Sequence, residues 1–375
     1  MMHTLQGTRI VLAVTGSIAA VETVKLAHAL RRAGASVQGV MSPAACGILH
    51  PDALTFATGS DVITRCSGHV EHVAWCGEKG RADLLLIAPC TANTIGKIAG
   101  GIDDTCVTTF ATTAIGSGIP VLIAPAMHAT MYRHPAVVRN LDTLATWGIG
   151  LIPPRIEEGR AKIASIEEIV LHAERALMGT PLAGKRVLIS SGPCREEVDD
   201  VRILTTRSTG MMGRAIALQA FRLGADVTVV HADTFPAVTN VHAADAAEMR
   251  DQVLSAIRSP IDFYVSAAAI SDFAPVRVPG KIESGQPAEI RLLPLPKILE
   301  EVLARVSATV VAFKLGGQEH RVQDMLRGGV SMVVVNAPAA MGAESGAFTF
   351  VTSSTRRSVH GTKEEVAAAL WAALL

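Results

Sequence analysis

Aromatic residues are scarce. Phe, Trp and Tyr make up 4% of the 375 residues, while the hydrophobic share as a whole reaches 49%. Any core must therefore be aliphatic, built from Ala, Val, Leu and Ile as strands buried on both faces require. Net charge is also missing. The 34 Lys and Arg balance 34 Asp and Glu, no basic face is evident, and few rings are free to stack on bases, which argues against a nucleic-acid partner. No apolar run reaches the roughly 18 residues that a bilayer crossing needs, and the start MMHTLQGTR has no apolar signal core. The expectation is a soluble, cytoplasmic protein with no membrane partner. The six cysteines (46, 66, 76, 90, 106 and 194) form no CxxC pair and no zinc-ribbon spacing, as free, mostly buried thiols in a reducing compartment would.

What is present is one opening phrase, used twice. Residues 8–20, TRIVLAVTGSIAA, read as a buried strand entering a small-residue turn, and GKRVLISSGPCREE (184–197) reads the same way. Each is followed by a helical stretch, a glycine and a second strand, in LRRAGASVQGVMS (30–42) and FRLGADVTVVHAD (221–233). Strand, tight turn, helix and second strand open a nucleotide-type βαβ unit. The expected fold class is α/β: two doubly wound parallel-sheet domains, Rossmann- or flavodoxin-like, in tandem. The domains are expected at 1–178 and 185–375, with the linker in GTPLAG (179–184), which holds Gly, Pro and Thr and no periodicity.

Continuous apolar runs predict strands near 9–14, 36–41, 83–88 and 119–124 in the first half. Helices are predicted from near 18, 91 and 134, and at 165–177 behind a Ser165 cap with Glu168 three residues on. The second half predicts strands near 186–190, 226–230, 262–266, 309–313 and 331–335. Its helices are predicted near 212–223, 245–257, 296–305 and 363–375. The stretch 274–294, rich in Pro and Gly, predicts a long loop, functional or disordered.

Ligands of open α/β sheets bind at strand ends. In the first half four segments lie there: TGSIAA (15–20), MSPAA (41–45), APCTANT (88–94) and APAMHATMY (124–132). The first can offer backbone N–H groups to a phosphate, although without GxGxxG it fits a plain tight turn equally well. Asn93 and His128 follow strand-ending prolines and could hold a carboxylate. An Asx turn or helix cap is the alternative for Asn93, and a backbone-bonded loop histidine for His128. His69 and His72, in SGHVEHVAW, have no third ligand in a fixed pattern, which speaks against a metal.

TGSIAA, the histidine segment, APCTANTIGKIAGGIDD and PAMHATMY together resemble the flavin-dependent cysteine decarboxylase family. The resemblance implies FMN against Gly16, Ser17, Ile18, Ala19, Ser42, Thr91 and Thr94. It also implies an active histidine, with His72 the first choice and His69 the rival, and a substrate carboxylate held by Asn93 and His128. Oxidation of the thiol-bearing carbon by FMN would give the electrons left by CO₂ a C=S group to enter. That family carries a cysteine in a substrate-covering loop. The corresponding stretch here, PRIEEGRAKIAS (154–165), has none, and Cys106 is the candidate substitute.

In the second half, SGPCREEVDDVRILTTRSTGMMGRAIA (191–217) resembles the signature of phosphopantothenate–cysteine ligases. SAAAISDF, GKIES, LPKIL, VAFK and VVVNAP follow in the family's order. With both halves, the chain resembles the bifunctional phosphopantothenate–cysteine ligase/phosphopantothenoylcysteine decarboxylase family of coenzyme A biosynthesis. The resemblance implies 4′-phosphopantothenate, cysteine and CTP as substrates and a homo-oligomer. It places Asp272 and Lys281 on CTP and its Mg²⁺, with Asp272 as the metal contact. Ser266, Ala267, Ala268, Phe313 and the turn Pro296, Lys297, Ile298, Leu299 surround the nucleotide, and Gly210 and Gly213 open a helix toward phosphate. Without the family, Asp272 is a turn or cap residue and Lys281 a solvated lysine. Thr206 stands where the family has the Asn that steadies the acyl-cytidylate, and Cys194 where it has Thr. A lysine pair before the VVVN strand is missing, with Arg321 and Arg327 nearby. Two competing readings are that only one half is active, and that the chain is a flavin- and nucleotide-binding assembly protein without turnover.

Overall fold

The computed structural model describes residues 3–157, 160–316 and 318–375. It divides into two compact units between Gly179 and Thr180. In the first, five parallel strands lie in the lateral order Ser36–Met41, Arg9–Val14, Leu84–Cys90, Val121–Pro125 and Gly150–Leu151. Alternate residues enter opposite cores. Ile10, Leu12 and Val14 pack on one face with Leu84 and Leu86. Val11 and Ala13 pack on the other with Leu85, Ile87 and Phe110. Both faces are covered, which is why these strands read as unbroken apolar runs.

Helix caps appear where the sequence chemistry supplies them. Ser165 and Glu168 form a reciprocal capping box that starts the helix Ile166–Leu177. Several short helices are added to those predicted, among them Pro51–Thr58, Glu71–Cys76 and Cys106–Gly116. His72 lies on the second of these, between the strands Ser36–Met41 and Leu84–Cys90. The stretch 154–165 contains a hairpin, Arg155–Glu157 paired with Arg160–Lys162, with Met127–His128 alongside. Glu158 and Gly159 of that stretch lie outside the described residues.

The second unit departs from a purely parallel sheet. Six parallel strands run in the order Thr239–His242, Asp226–His231, Arg186–Pro193, Phe263–Ala269, Thr309–Leu315 and Met332–Asn336. Two antiparallel strands, Ser345–Val351 and Arg356–Thr362, then extend the edge. The first buries Phe348, Phe350 and Val351 among exposed and half-buried residues, and the second is largely exposed, so neither has the unbroken apolar run that marks the inner strands. The last helix, Lys363–Leu374, is anchored by Trp371. Its indole Nε1 donates to Ile216 O at 3.0 Å, and its ring meets Phe263 edge-on. The predicted long loop after residue 273 is a two-stranded ribbon at its base, Phe273–Pro275 against Leu292–Pro294. Among the described residues no helix is long and apolar enough to cross a membrane.

Candidate active sites

In the first unit the carboxyl ends of the strands open on a cavity of about 510 Å³. Gly16, Ser17, Ser42, Thr91, Asn93 and Thr94 all line it. Thr15 ties two of these loops together. Its hydroxyl donates to Pro89 O at 2.8 Å and accepts from the Thr91 N–H at 3.0 Å. Gly16 is needed by space, because a Cβ there would sit 2.5 Å from that of Ala44. Ser42 caps Pro43–Cys46 and Thr91 caps Ala92–Ala99, each through its side chain. Because Thr91 does the capping, Asn93 is exposed and needed for no cap. His128 is likewise exposed, with no side-chain cap bond at the start of Ala129–Tyr132.

A neighbouring cavity of about 750 Å³ takes in Ile18, Ala19 and His128. It shares Ser17, Ala126 and Met127 with the first. Arg155 and Lys162 of the hairpin line it, two cationic side chains that sequence reasoning had not singled out.

His72 and Cys106 line neither cavity. The helix carrying His72 is entered through Val70, whose φ of +47° is unusual for a β-branched residue. The loop leading into it is closed by Glu71, which accepts from the Ser67 hydroxyl and, at 2.8 Å, from the Ser67 N–H. Those bonds, the hydroxyl first, hold the Glu71 carboxyl down to about 2. The Nδ1 of His72 is buried and has no hydrogen-bond partner, whereas His69 is exposed. Cys106 is buried at 7% exposure, with its Sγ 3.3 Å from that of Cys66. Burial first, then the Cys66 contact, pushes its thiol well above the usual range.

In the second unit Gly210, Gly213, Ala267, Ala268 and Phe313 line a cavity of about 140 Å³. Gly210, at φ +72°, is the cap of Met211–Arg222. A Cβ on Gly213 would fall 2.6 Å from Ser191 Cβ, so the helix start and the strand end touch only because residue 213 has no side chain. Two further lining residues are Asn336 and Lys363. Lys363 is buried at 6% exposure, donates to Ala340 O at 2.8 Å and lies 4.7 Å from the Phe348 ring centroid. Burial lowers its ammonium pKa. Its place at the start of the last helix gave no local signal of a site.

Of the remaining predicted residues, Thr206 donates to Ala269 O at 3.3 Å, and Ser266 is half-buried midway along its strand. Asp272 pairs with Lys297. That bond, helped by the charges of Lys297, Lys314 and Arg321, holds the Asp272 carboxyl below its ordinary value. Arg327 instead pairs with Asp324. Ile298 and Leu299 pack on the core while Pro296 is exposed. Lys281 is exposed, but its flanks are fixed. Ile282 N–H donates to Asp199 at 3.0 Å, and Asp200 N–H donates to Gly280 O at 3.1 Å. Asp199 also accepts from the Val201 and Arg202 N–H groups and from the Arg202 guanidinium. Burial alone would raise its carboxyl pKa, yet these donors hold it well below the carboxylate range. Asp199 lay inside the quoted signature, but nothing local marked it as the tie for a loop some eighty residues away. Burial, with Glu196 and Asp245, pushes the Cys194 thiol up to about 12.

Residues 2–177 match the flavoprotein family, and residues 182–375 match the DNA/pantothenate metabolism flavoprotein C-terminal domain. The two units thus make a two-part protein of the pantothenate-metabolism flavoprotein class. The chain is 44% identical over 383 residues to the coenzyme A biosynthesis bifunctional protein CoaBC of Thermococcus kodakarensis, covering 98% of this chain and 94% of that one. It is 36% identical over 317 residues to the protein of the same name from Methanocaldococcus jannaschii, covering 83% and 77%. A crystal structure of the C-terminal domain of a CoaBC protein aligns with a TM-score of 0.44 at 28% identity, over 52% of this chain and 95% of that one. The chain belongs to the coenzyme A biosynthesis bifunctional protein CoaBC family and is a bifunctional enzyme.

Proposed function

We propose that the second unit joins cysteine to 4′-phosphopantothenate through an acyl-cytidylate made from CTP, and that the first unit decarboxylates the product to 4′-phosphopantetheine with FMN. The observation that carries this reading is the convergence of Gly16, Ser17, Ser42, Thr91, Asn93 and Thr94, from three strand ends, on one cavity.

FMN fits there. Gly16 keeps a close-approach turn that a side chain would fill, and Ser17, Ser42, Thr91 and Thr94 supply hydroxyls and backbone N–H groups for a phosphate. FMN, when bound, supplies oxidation of the thiol-bearing carbon. The chain's own residues do the positioning. Asn93 donates its amide N–H to the substrate carboxylate, with His128 beside the adjoining cavity. Arg155 and Lys162 offer charge for the substrate phosphate. His72, whose buried Nδ1 has no hydrogen-bond partner, is the candidate active histidine, on a helix beside the site and outside the lining of either cavity. Exposed Ile18 and Phe56 support subunit contact in a homo-oligomer.

In the second unit the start of Met211–Arg222 and the exposed Lys281 would hold the triphosphate. Asp272 would offer a carboxylate to Mg²⁺, an ion that commonly binds through one or two carboxylates together with substrate phosphates. A carboxylate must gain a leaving group before an amine can displace it, and charge neutralisation by Lys and metal favours that step.

The test is product analysis by mass spectrometry after incubation with 4′-phosphopantothenate, cysteine, CTP and Mg²⁺. Appearance of 4′-phosphopantetheine supports both reactions. Accumulation of 4′-phosphopantothenoylcysteine leaves only the ligase, a second reading favoured by the lack of cysteine in 154–165. Absence of both products sinks the proposal.

A further inference from the structure

Cys66 and Cys106 are 40 residues apart in sequence, yet their sulfurs lie 3.3 Å apart. Among the described residues no other pair of the six cysteines makes a sulfur–sulfur contact. We propose that Cys66 and Cys106 form a reversible disulfide site, closed by a small-molecule disulfide such as glutathione disulfide.

The geometry sets the order of events. Cys66 is half-exposed and Cys106 is buried, so the Cys66 thiolate attacks one glutathione sulfur and expels the first glutathione. Cys106 then gives up its proton to solvent and attacks Sγ of Cys66, expelling the second. Two thiols lose two protons and two electrons, and the oxidant becomes two glutathione molecules. The sulfurs must close from 3.3 Å to about 2.0 Å.

The bond would act on the first site. Cys66 precedes Ser67, which fixes the loop leading to His72 through Glu71. Cys106 follows Thr105, which caps Cys106–Gly116 and lines the 510 Å³ cavity. Oxidation therefore staples the His72 helix to the cavity wall. It also closes a loop of about 40 residues, which restricts the unfolded chain.

The full-length protein is equilibrated with glutathione disulfide, quenched by alkylation and mapped by mass spectrometry. The expected result is a fall from the six thiols of the sequence by two, and one cross-linked peptide joining residues 66 and 106. The thermal midpoint of the first unit should rise by several degrees and return with dithiothreitol. Cys66→Ser should abolish that rise. Retention of all six thiols, a stable glutathione adduct at Cys66 without cross-linking, a bond between another pair, or an unchanged rise in Cys66→Ser would each overturn the proposal. The peptide map needs only the natural chain, so it stands even where the variant folds poorly.

Discussion

Gly16 and Ala44 approach so closely that a Cβ on residue 16 would lie 2.5 Å from that of Ala44 and 3.1 Å from its carbonyl carbon. Two turns, from the ends of adjacent parallel strands, thus meet at a point where only hydrogen fits. The neighbour is a short side chain and its own backbone, with no flexible tip to swing away.

Gly16→Ala should therefore displace one turn and spoil the flavin cavity. Overpacking of this kind costs about 1–3 kcal/mol, so FMN affinity should fall roughly tenfold or more. Quenching of flavin fluorescence on titration reads it directly. Unchanged affinity would show that the cofactor does not rest on this turn.

Asn93 offers a cleaner separation of chemistry from stability. Thr91 caps its helix, so Asn93→Ala removes no structural bond. The decarboxylation kcat should drop on the order of 100-fold or more, as loss of a positioned donor does, with the thermal midpoint unchanged. Thr91→Val should do the reverse in part, costing about 1 kcal/mol of stability through the lost cap.

Gly213 and Ser191 form a coupled pair in the second unit, since a Cβ on residue 213 would collide with the Ser191 side chain. Gly213→Ala should raise the KM for CTP severalfold or more while leaving decarboxylation intact. Adding Ser191→Gly should restore much of it. A double-mutant cycle measures the coupling, and simple additivity would refute the steric account.

Asp199 predicts a pH dependence. Its carboxyl is held below the ordinary range in the folded unit, so its contribution is fully present above about pH 4. That contribution is lost as pH falls through the lower folded value. Calorimetry should show a flat thermal midpoint from neutrality to about pH 5 and a decline below about pH 4 that Asp199→Asn flattens. The same variant weakens the tie to Ile282 and should reduce CTP use at neutral pH, because Lys281 loses one of its two fixed flanks.

The sequence by itself determined the parts that depend on local pattern. Unbroken apolar runs marked the inner parallel strands, since burial on both faces demands them. Strand-ending turns marked the sheet edge where the cavities lie. The capping box of Ser165 and Glu168 was legible because its partners sit three residues apart. The antiparallel strands Ser345–Val351 and Arg356–Thr362 were not legible, because the first sets its buried Phe348, Phe350 and Val351 among exposed and half-buried residues and the second is largely exposed, so neither carries such a run. Tertiary structure alone decided which residues meet across long separations. It gave the cap to Thr91 and left Asn93 exposed, and it placed Asp199 against Ile282. It also set Lys363 into the cavity of Gly213 and brought Cys66 onto Cys106. The physical reason is shared: periodicity reports which face of an element is buried, but the partner on that face is chosen by the packing of the whole unit.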